Sequence, residues 1–237
     1  MTDLWRDAVL VARKDLAIER RSKVTLSQIA PFAALMLVLF AFSLDSLLIR
    51  DLNQSTSTNG VAVSTVSAGL YWLAVLFGAL VAVQRSFALE VADGGRDGLR
   101  LSSLDPAGIF LGKAFAIAAQ LVVLQVVLFL GSLLFFRTEV RSPGVFVLVA
   151  LLATTGLAAT GTCYGALAAG LRVRDTLLPI LYFPVSAPLI LGAVKATTSA
   201  YLGELSEAWP WVRLLVLFAV IYLALGVLLF GQLLEDS

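Results

Sequence analysis

Residues 114–136, AFAIAAQLVVLQVVLFLGSLLFF, run from end to end without one Asp, Glu, Lys or Arg. A helix needs about 20 apolar residues to cross the hydrocarbon core of a bilayer, and this stretch is long enough. Five more runs share the property: 25–44, 62–84, 145–170, 177–194 and 214–231. All 17 Lys and Arg and all 16 Asp and Glu of the 237-residue chain lie outside these runs. With 59% hydrophobic residues, 14% charged residues and a mean hydropathy of +0.94, the composition is that of a polytopic membrane protein. The expected fold is all-α, with six transmembrane helices in a single permease domain over 1–237. The short connections leave no room for a second globular unit.

The same pattern excludes several functions. Pumps and ion-coupled carriers keep an ionisable side chain at membrane depth. None is present in the runs, so any work must be driven from outside the membrane. The chain has no His, which removes Ser-His and Cys-His catalytic pairs, most zinc sites and His-ligated haem. Asp93 and Asp97 flank glycines, a pattern that a turn explains better than a calcium loop does. The segment Gly108-Ile-Phe-Leu-Gly112-Lys113 is one residue too short for a phosphate loop, and Ala114 replaces the Ser or Thr that would hold magnesium. It reads as helix packing with a lysine snorkelling to the interface. No catalytic residue, metal ligand or directly bound cofactor is expected, and the chain is not an enzyme. A net charge of +1 gives no bias toward nucleic acid, and the lone Cys163 excludes an internal disulfide.

Charge also orients the chain. Arg6, Arg13, Lys14, Arg20, Arg21 and Lys23 precede the first run, Arg85, Arg96, Arg100 and Lys113 lie in the second loop, and Arg172 and Arg174 lie in the fourth. The other side carries only Arg50, Arg137, Arg141, Lys195 and Arg213. The basic side is cytoplasmic, which places both termini in the cytoplasm and Tyr201, Trp209 and Trp211 at the outer interface. Twenty-four residues rich in charge precede the first run, so the N-terminus is not a cleavable signal peptide.

Residues 2–22 show an apolar stripe at Trp5, Val9, Ala12 and Leu16, which predicts an amphipathic helix within 1–23. It either lies along the cytosolic membrane surface beside a partner or serves as a stub that sets topology. The polar 45–61 loop carries no chemistry. Residues 85–113 form the one substantial cytosolic loop. Phe87, Glu90 and Val91 extend the second helix, Asp93-Gly94-Gly95 ends it, and Leu99, Leu101 and Leu104 display an apolar face that a partner should cover. Asp105 is an N-cap with Pro106 at the first helical position.

The fourth run is rich in small and hydroxyl residues, and Gly161-xxx-Gly165 allows close helix approach; lining a substrate path is the weaker alternative. The fifth carries Pro179, Pro184 and Pro188, each removing a backbone donor, so that this helix is kinked or broken. It is either a simple kink or a deformable gate. Residues 197–208, within an outer-surface segment 195–211, could fold back as a short helix.

Two stretches carry a family likeness. Arg85-x-Phe87, Glu90-x-x-Asp93-Gly94, Leu99-x-Leu101-x-x-Leu104-Asp105 and Gly112-Lys113 together resemble the cytosolic segment of the haem exporter protein B family (CcmB) of cytochrome c maturation. The run Leu177 to Ile190 resembles that family's proline-rich span, and the arm beginning with Trp5 and Arg6 also matches. Asp97 and Gly98 depart from the usual small or hydroxyl run. The resemblance implies an ABC-2-type exporter permease architecture in the bacterial inner membrane. It also implies docking of a separate CcmA-like ATPase on 85–113, and a complex with CcmC-like and CcmD-like membrane subunits. ATP would then belong to the ATPase and haem to the partner, with hydrolysis releasing a haem-loaded periplasmic chaperone. Two copies of the chain are expected, since ABC ATPases close their sites as a dimer. The alternative is an ABC-2-type permease that exports a lipid, polysaccharide or drug.

Overall fold

The computed structural model describes residues 2–22, 59–92, 104–136, 140–169 and 174–235, together with 31–33, 35–36, 38–39 and 42. Every regular element among the described residues is helical. We number the long ones α1 (Thr2–Ser22), α2 (Asn59–Ala92), α3 (Pro106–Phe136), α4 (Pro143–Ala169), α5 (Arg174–Leu202) and α6 (Leu205–Glu235). Five of them contain stretches long and apolar enough to cross a membrane: Ser64–Ala88, Pro106–Leu133, Pro143–Ala168, Thr176–Leu202 and Leu205–Gln232. These coincide with five of the six apolar runs. Most of the run 25–44 lies outside the described residues, and its described positions are helical.

The five spans do not share burial equally. More than half of the α2 and α4 windows is enclosed (56% each), against 22% of α6, so α2 and α4 form the centre and α6 the rim. Lipid tails are as apolar as Leu, so no hydrophobic force drives helices together within a bilayer; close packing and interhelical hydrogen bonds must do it. Both are present. Trp72 Nε1 donates to Thr197 Oγ1 at 2.8 Å, joining α2 to α5. Gln125 Nε2 donates to Thr154 Oγ1 at 2.9 Å, joining α3 to α4, and the Tyr182 hydroxyl donates to the Leu157 carbonyl at 3.1 Å, joining α5 to α4. The hydroxyls of Thr154, Thr155, Thr160 and Thr162 donate to carbonyls one turn back on α4.

Two expectations change. α5 continues as one helix through Pro179, Pro184 and Pro188 to Leu202, so the prolines do not break it. No separate surface helix exists at 197–208. Residues up to Leu202 belong to α5, Gly203 turns the chain with φ +81°, and α6 starts at Leu205. A left-handed φ of that size suits glycine because it has no Cβ to clash. Tyr201, in the last turn of α5, is buried against the Phe146 ring (centroids 6.0 Å apart), since α5 runs two turns past the apolar run. Trp209 does project outward.

Candidate functional site

Charged side chains of α1, α2 and α3 converge at one end of the bundle, where α1 crosses the beginning of α3. Gly108 and Gly112 make that crossing close. A Cβ added at Gly112 would stand 2.6 Å from the Ala8 carbonyl oxygen and 2.7 Å from Val11 Cβ. One at Gly108 would stand 3.0 Å from the Leu4 carbonyl oxygen. The two glycines therefore form the seat on which Ala8, Val11 and Ala12 of α1 are buried.

Acidic side chains on α1 then engage the two flanks of the 85–113 segment. Asp7, buried, accepts the backbone N–H of Asp105 through Oδ2 at 3.1 Å. Asp105 caps its own helix, accepting the Ala107 N–H through Oδ1 at 2.9 Å, so the capping read from the sequence is present. Two carboxylates thus face the positive end of the α3 dipole, where negative charge is stabilised. Eight residues further along α1, Asp15 Oδ2 lies 3.5 Å from Lys113 Nζ. The next turn brings Glu19 Oε2 to 3.3 Å from Arg85 Nε. Lys113 also sits 4.7 Å from the centroid of the Phe87 ring, a cation–π distance, and Nζ is 3.5 Å from Ser86 Oγ.

These groups are largely enclosed. The Lys113 side chain is 1% exposed, and those of Asp15, Arg85 and Glu19 are between 13% and 15% exposed. Breaking such a pair by removing one partner strands a buried charge and costs about 3–5 kcal/mol. Lys113 therefore does not snorkel to an interface. It is enclosed because α1 lies across the α3 turn from which it projects. Arg85 and Phe87, expected to face a partner, are also turned inward. Arg85 is held by Glu19, and Phe87 is buried with its ring against the Gly165 position of α4. Leu104 is half-buried and packs on the core. Glu90 lies in the last turns of α2, and Asp93, Gly94, Leu99 and Leu101 fall outside the described residues.

Elsewhere, Gly161 and Gly165 face α2. A Cβ at Gly161 would run into Val83, and one at Gly165 into Phe87 and Val83. Pro184 and Pro188 lie on the exposed side of α5, and Pro179 is half-buried. Among the described residues no three carboxylate or cysteine groups converge as a metal site would require. Asp7, Asp15 and Glu19 were not singled out from the sequence. Their signal was available: with Val11 they recur every fourth residue, forming a stripe that winds slowly around the helix.

Comparison with known proteins adds the following. A family model described as CcmB protein matches residues 6–236. The chain is 31% identical over 138 residues to heme exporter protein B of Rhodobacter capsulatus, an alignment covering 56% of this chain and 62% of that protein. It is 29% identical over 164 residues to heme exporter protein B of Paracoccus denitrificans, covering 68% and 72% respectively. Against heme exporter protein B of Haemophilus influenzae it is 29% identical over 145 residues, covering 60% and 64%. The alignment thus spans less than two thirds of the first relative's length.

Proposed function

The chain belongs to the CcmB protein family, and from that premise we propose that it is the permease subunit of an ABC-type complex for c-type cytochrome biogenesis. The observation that carries this reading is the grip of α1 on both flanks of 85–113, through Asp15–Lys113, Glu19–Arg85 and the Asp7 acceptor at Asp105. A segment anchored at both ends on rigid helices moves those helices when it is pushed. α2, at 34 residues about 51 Å long, reaches from that anchor deep into the bundle. It meets α5 through the Trp72–Thr197 hydrogen bond and the Phe77–Phe183 ring contact, with centroids 5.6 Å apart. α5 is the helix weakened by three prolines, and so the element best able to deform.

On this reading the run 25–44 supplies a sixth span and both termini lie in the cytoplasm of a bacterium. α1 lies along the inner-membrane surface with Trp5 outward. A CcmA-like ATPase docks on 85–113, contacting Glu90, Asp93, Gly94, Leu99 and Leu101. Two copies of the chain form the permease, joined by CcmC-like and CcmD-like subunits. Haem and ATP are handled by the partners, and hydrolysis releases the haem-loaded chaperone. The printed name of the three relatives, heme exporter protein B, supports haem as the cargo of the complex. Leu99→Asp and Gly94→Pro are expected to abolish co-purification with the ATPase while leaving membrane insertion intact. Normal recovery of the ATPase with both variants would refute the docking segment. Loss of covalent c-type cytochromes on haem-stained gels after deletion of the gene tests the biological assignment.

A further inference from the structure

The two ends of the 85–113 segment touch each other through one side chain. Lys113 Nζ, at the far end, lies 3.5 Å from the hydroxyl of Ser86, 27 residues earlier in the chain. It also lies 4.7 Å from the centroid of the Phe87 ring, within cation–π reach. On a third side stands Asp15 Oδ2 of α1, at 3.5 Å. The ammonium thus sits where α1, α2 and α3 meet, at the base of the segment. Stability alone does not call for an ion there. Apolar side chains of similar volume in place of a buried ion pair are often neutral or stabilising, and Met fills much the same space as Lys. What Met lacks is direction, since a cation between a carboxylate and a ring face holds both at set distances.

Phe87 carries the contact inward. Its ring fills the space left open at Gly165 of α4, and Val83, one turn deeper on α2, fills that at Gly161. A Cβ at Gly161 would also stand 3.5 Å from the Tyr182 ring, so this point of α4 borders α5 between Pro179 and Pro184. A push on a loop whose ends are independent spreads them apart, whereas a loop clasped at its base moves as one piece. We propose that Lys113 is a positioning residue, a clasp that makes α2 and α3 move together, so that motion of 85–113 reaches α4 and the proline stretch of α5. It acts through Phe87 and touches neither nucleotide nor cargo. This inference rests on the permease reading and deepens it, by assigning the side chain that passes the motion on.

The test uses the full-length chain with its ATPase in nanodiscs. Three quantities are read: recovery of the ATPase with the chain, trypsin cleavage of α1, and stimulation of ATP hydrolysis. Asp15→Leu with Lys113→Met keeps α1 seated by apolar packing and removes the cation. It should recover the ATPase as the wild type does, yet lose roughly tenfold of the stimulation, the order of factor that one desolvated cation–π contact is worth. Phe87→Leu keeps bulk against Gly165, removes the ring face and leaves both ion pairs of α1 in place, so it reads the clasp even where the double variant does not seat α1. It should show the same loss. The triple variant should lose no more than either, because residues acting through one contact are not additive. Full stimulation with Phe87→Leu, or with the double variant while α1 stays seated, overturns the inference, since Lys113 is then merely structural. Losses that multiply in the triple variant overturn it as well. A wild type that recovers no ATPase sinks the permease reading, and the inference with it.

Discussion

Replacing Asp15 by Asn tests the grip of α1 most sharply. The change keeps the shape of the side chain and removes its charge, taking the Asp15 carboxylate away from the Lys113 ammonium, which is 1% exposed and faces Phe87 and Ser86. The expected cost is about 3–5 kcal/mol. α1 can escape most of it by lifting away, because its seat is chiefly α3. Trypsin reads that motion directly, since Arg13, Lys14 and Arg20 lie on α1. When reclosing is fast, cleavage tracks the open population, so an opening easier by 3 kcal/mol or more raises the rate roughly a hundredfold or more. Cys163, the chain's one cysteine, is buried in α4, and its reaction with a thiol dye on heating reports whether the bundle itself survives. The double variant Asp15→Leu with Lys113→Met replaces the ion pair by apolar packing, which is often neutral or stabilising. It should return cleavage to near the wild-type rate. Cleavage of Asp15→Asn within threefold of wild type, or a double variant as labile as the single one, would refute the reasoning.

Two further outcomes follow from the packing. Gly112→Ala should expose α1 to trypsin more than Gly108→Ala does, because the new methyl meets the Ala8 carbonyl at 2.6 Å, against a nearest approach of 3.0 Å at Gly108; the reverse order would misplace the seat. Trp72→Phe removes the hydrogen bond to Thr197 and should cost roughly 0.6 to 1.7 kcal/mol. That loss should appear as a lower melting temperature by the Cys163 assay, with trypsin cleavage of α1 unchanged.

The membrane-spanning helices were legible because a bilayer imposes a length and an absence of charge that leave few alternatives, and the described spans fall on the runs accordingly. The start of α3 was legible because Asp105 followed by Pro106 is a local signal that acts through the residue's own turn. The grip of α1 was not read, for a reason of distance. Asp7 and Asp105 are 98 residues apart, and nothing within either segment says that the other lies against it. Reading α1 by its hydrophobic period drew attention to Trp5 and Val9, which face outward, and away from Ala8 and Val11, which are buried on the glycines. Lys113 looked like an interfacial lysine because it stands at the edge of an apolar run; only the crossing helix encloses it. The last two turns of α5 were not read because the apolar run stops before Lys195, whereas Thr197, Thr198 and Ser199 beyond it are buried, with Thr197 bonded to Trp72 and Thr198 to the Val194 carbonyl. The segment 93–101, on which the docking proposal depends, falls outside the described residues.

The central claim is that this subunit is a passive lever moved by a separate ATPase at 85–113. Its most direct test is ATP turnover in nanodiscs holding the purified chain, alone and with the ATPase added. The account predicts no hydrolysis by the chain alone, stimulated hydrolysis with the ATPase, and loss of that stimulation with Leu99→Asp. Hydrolysis by the chain alone, or stimulation indifferent to Leu99→Asp, would contradict it.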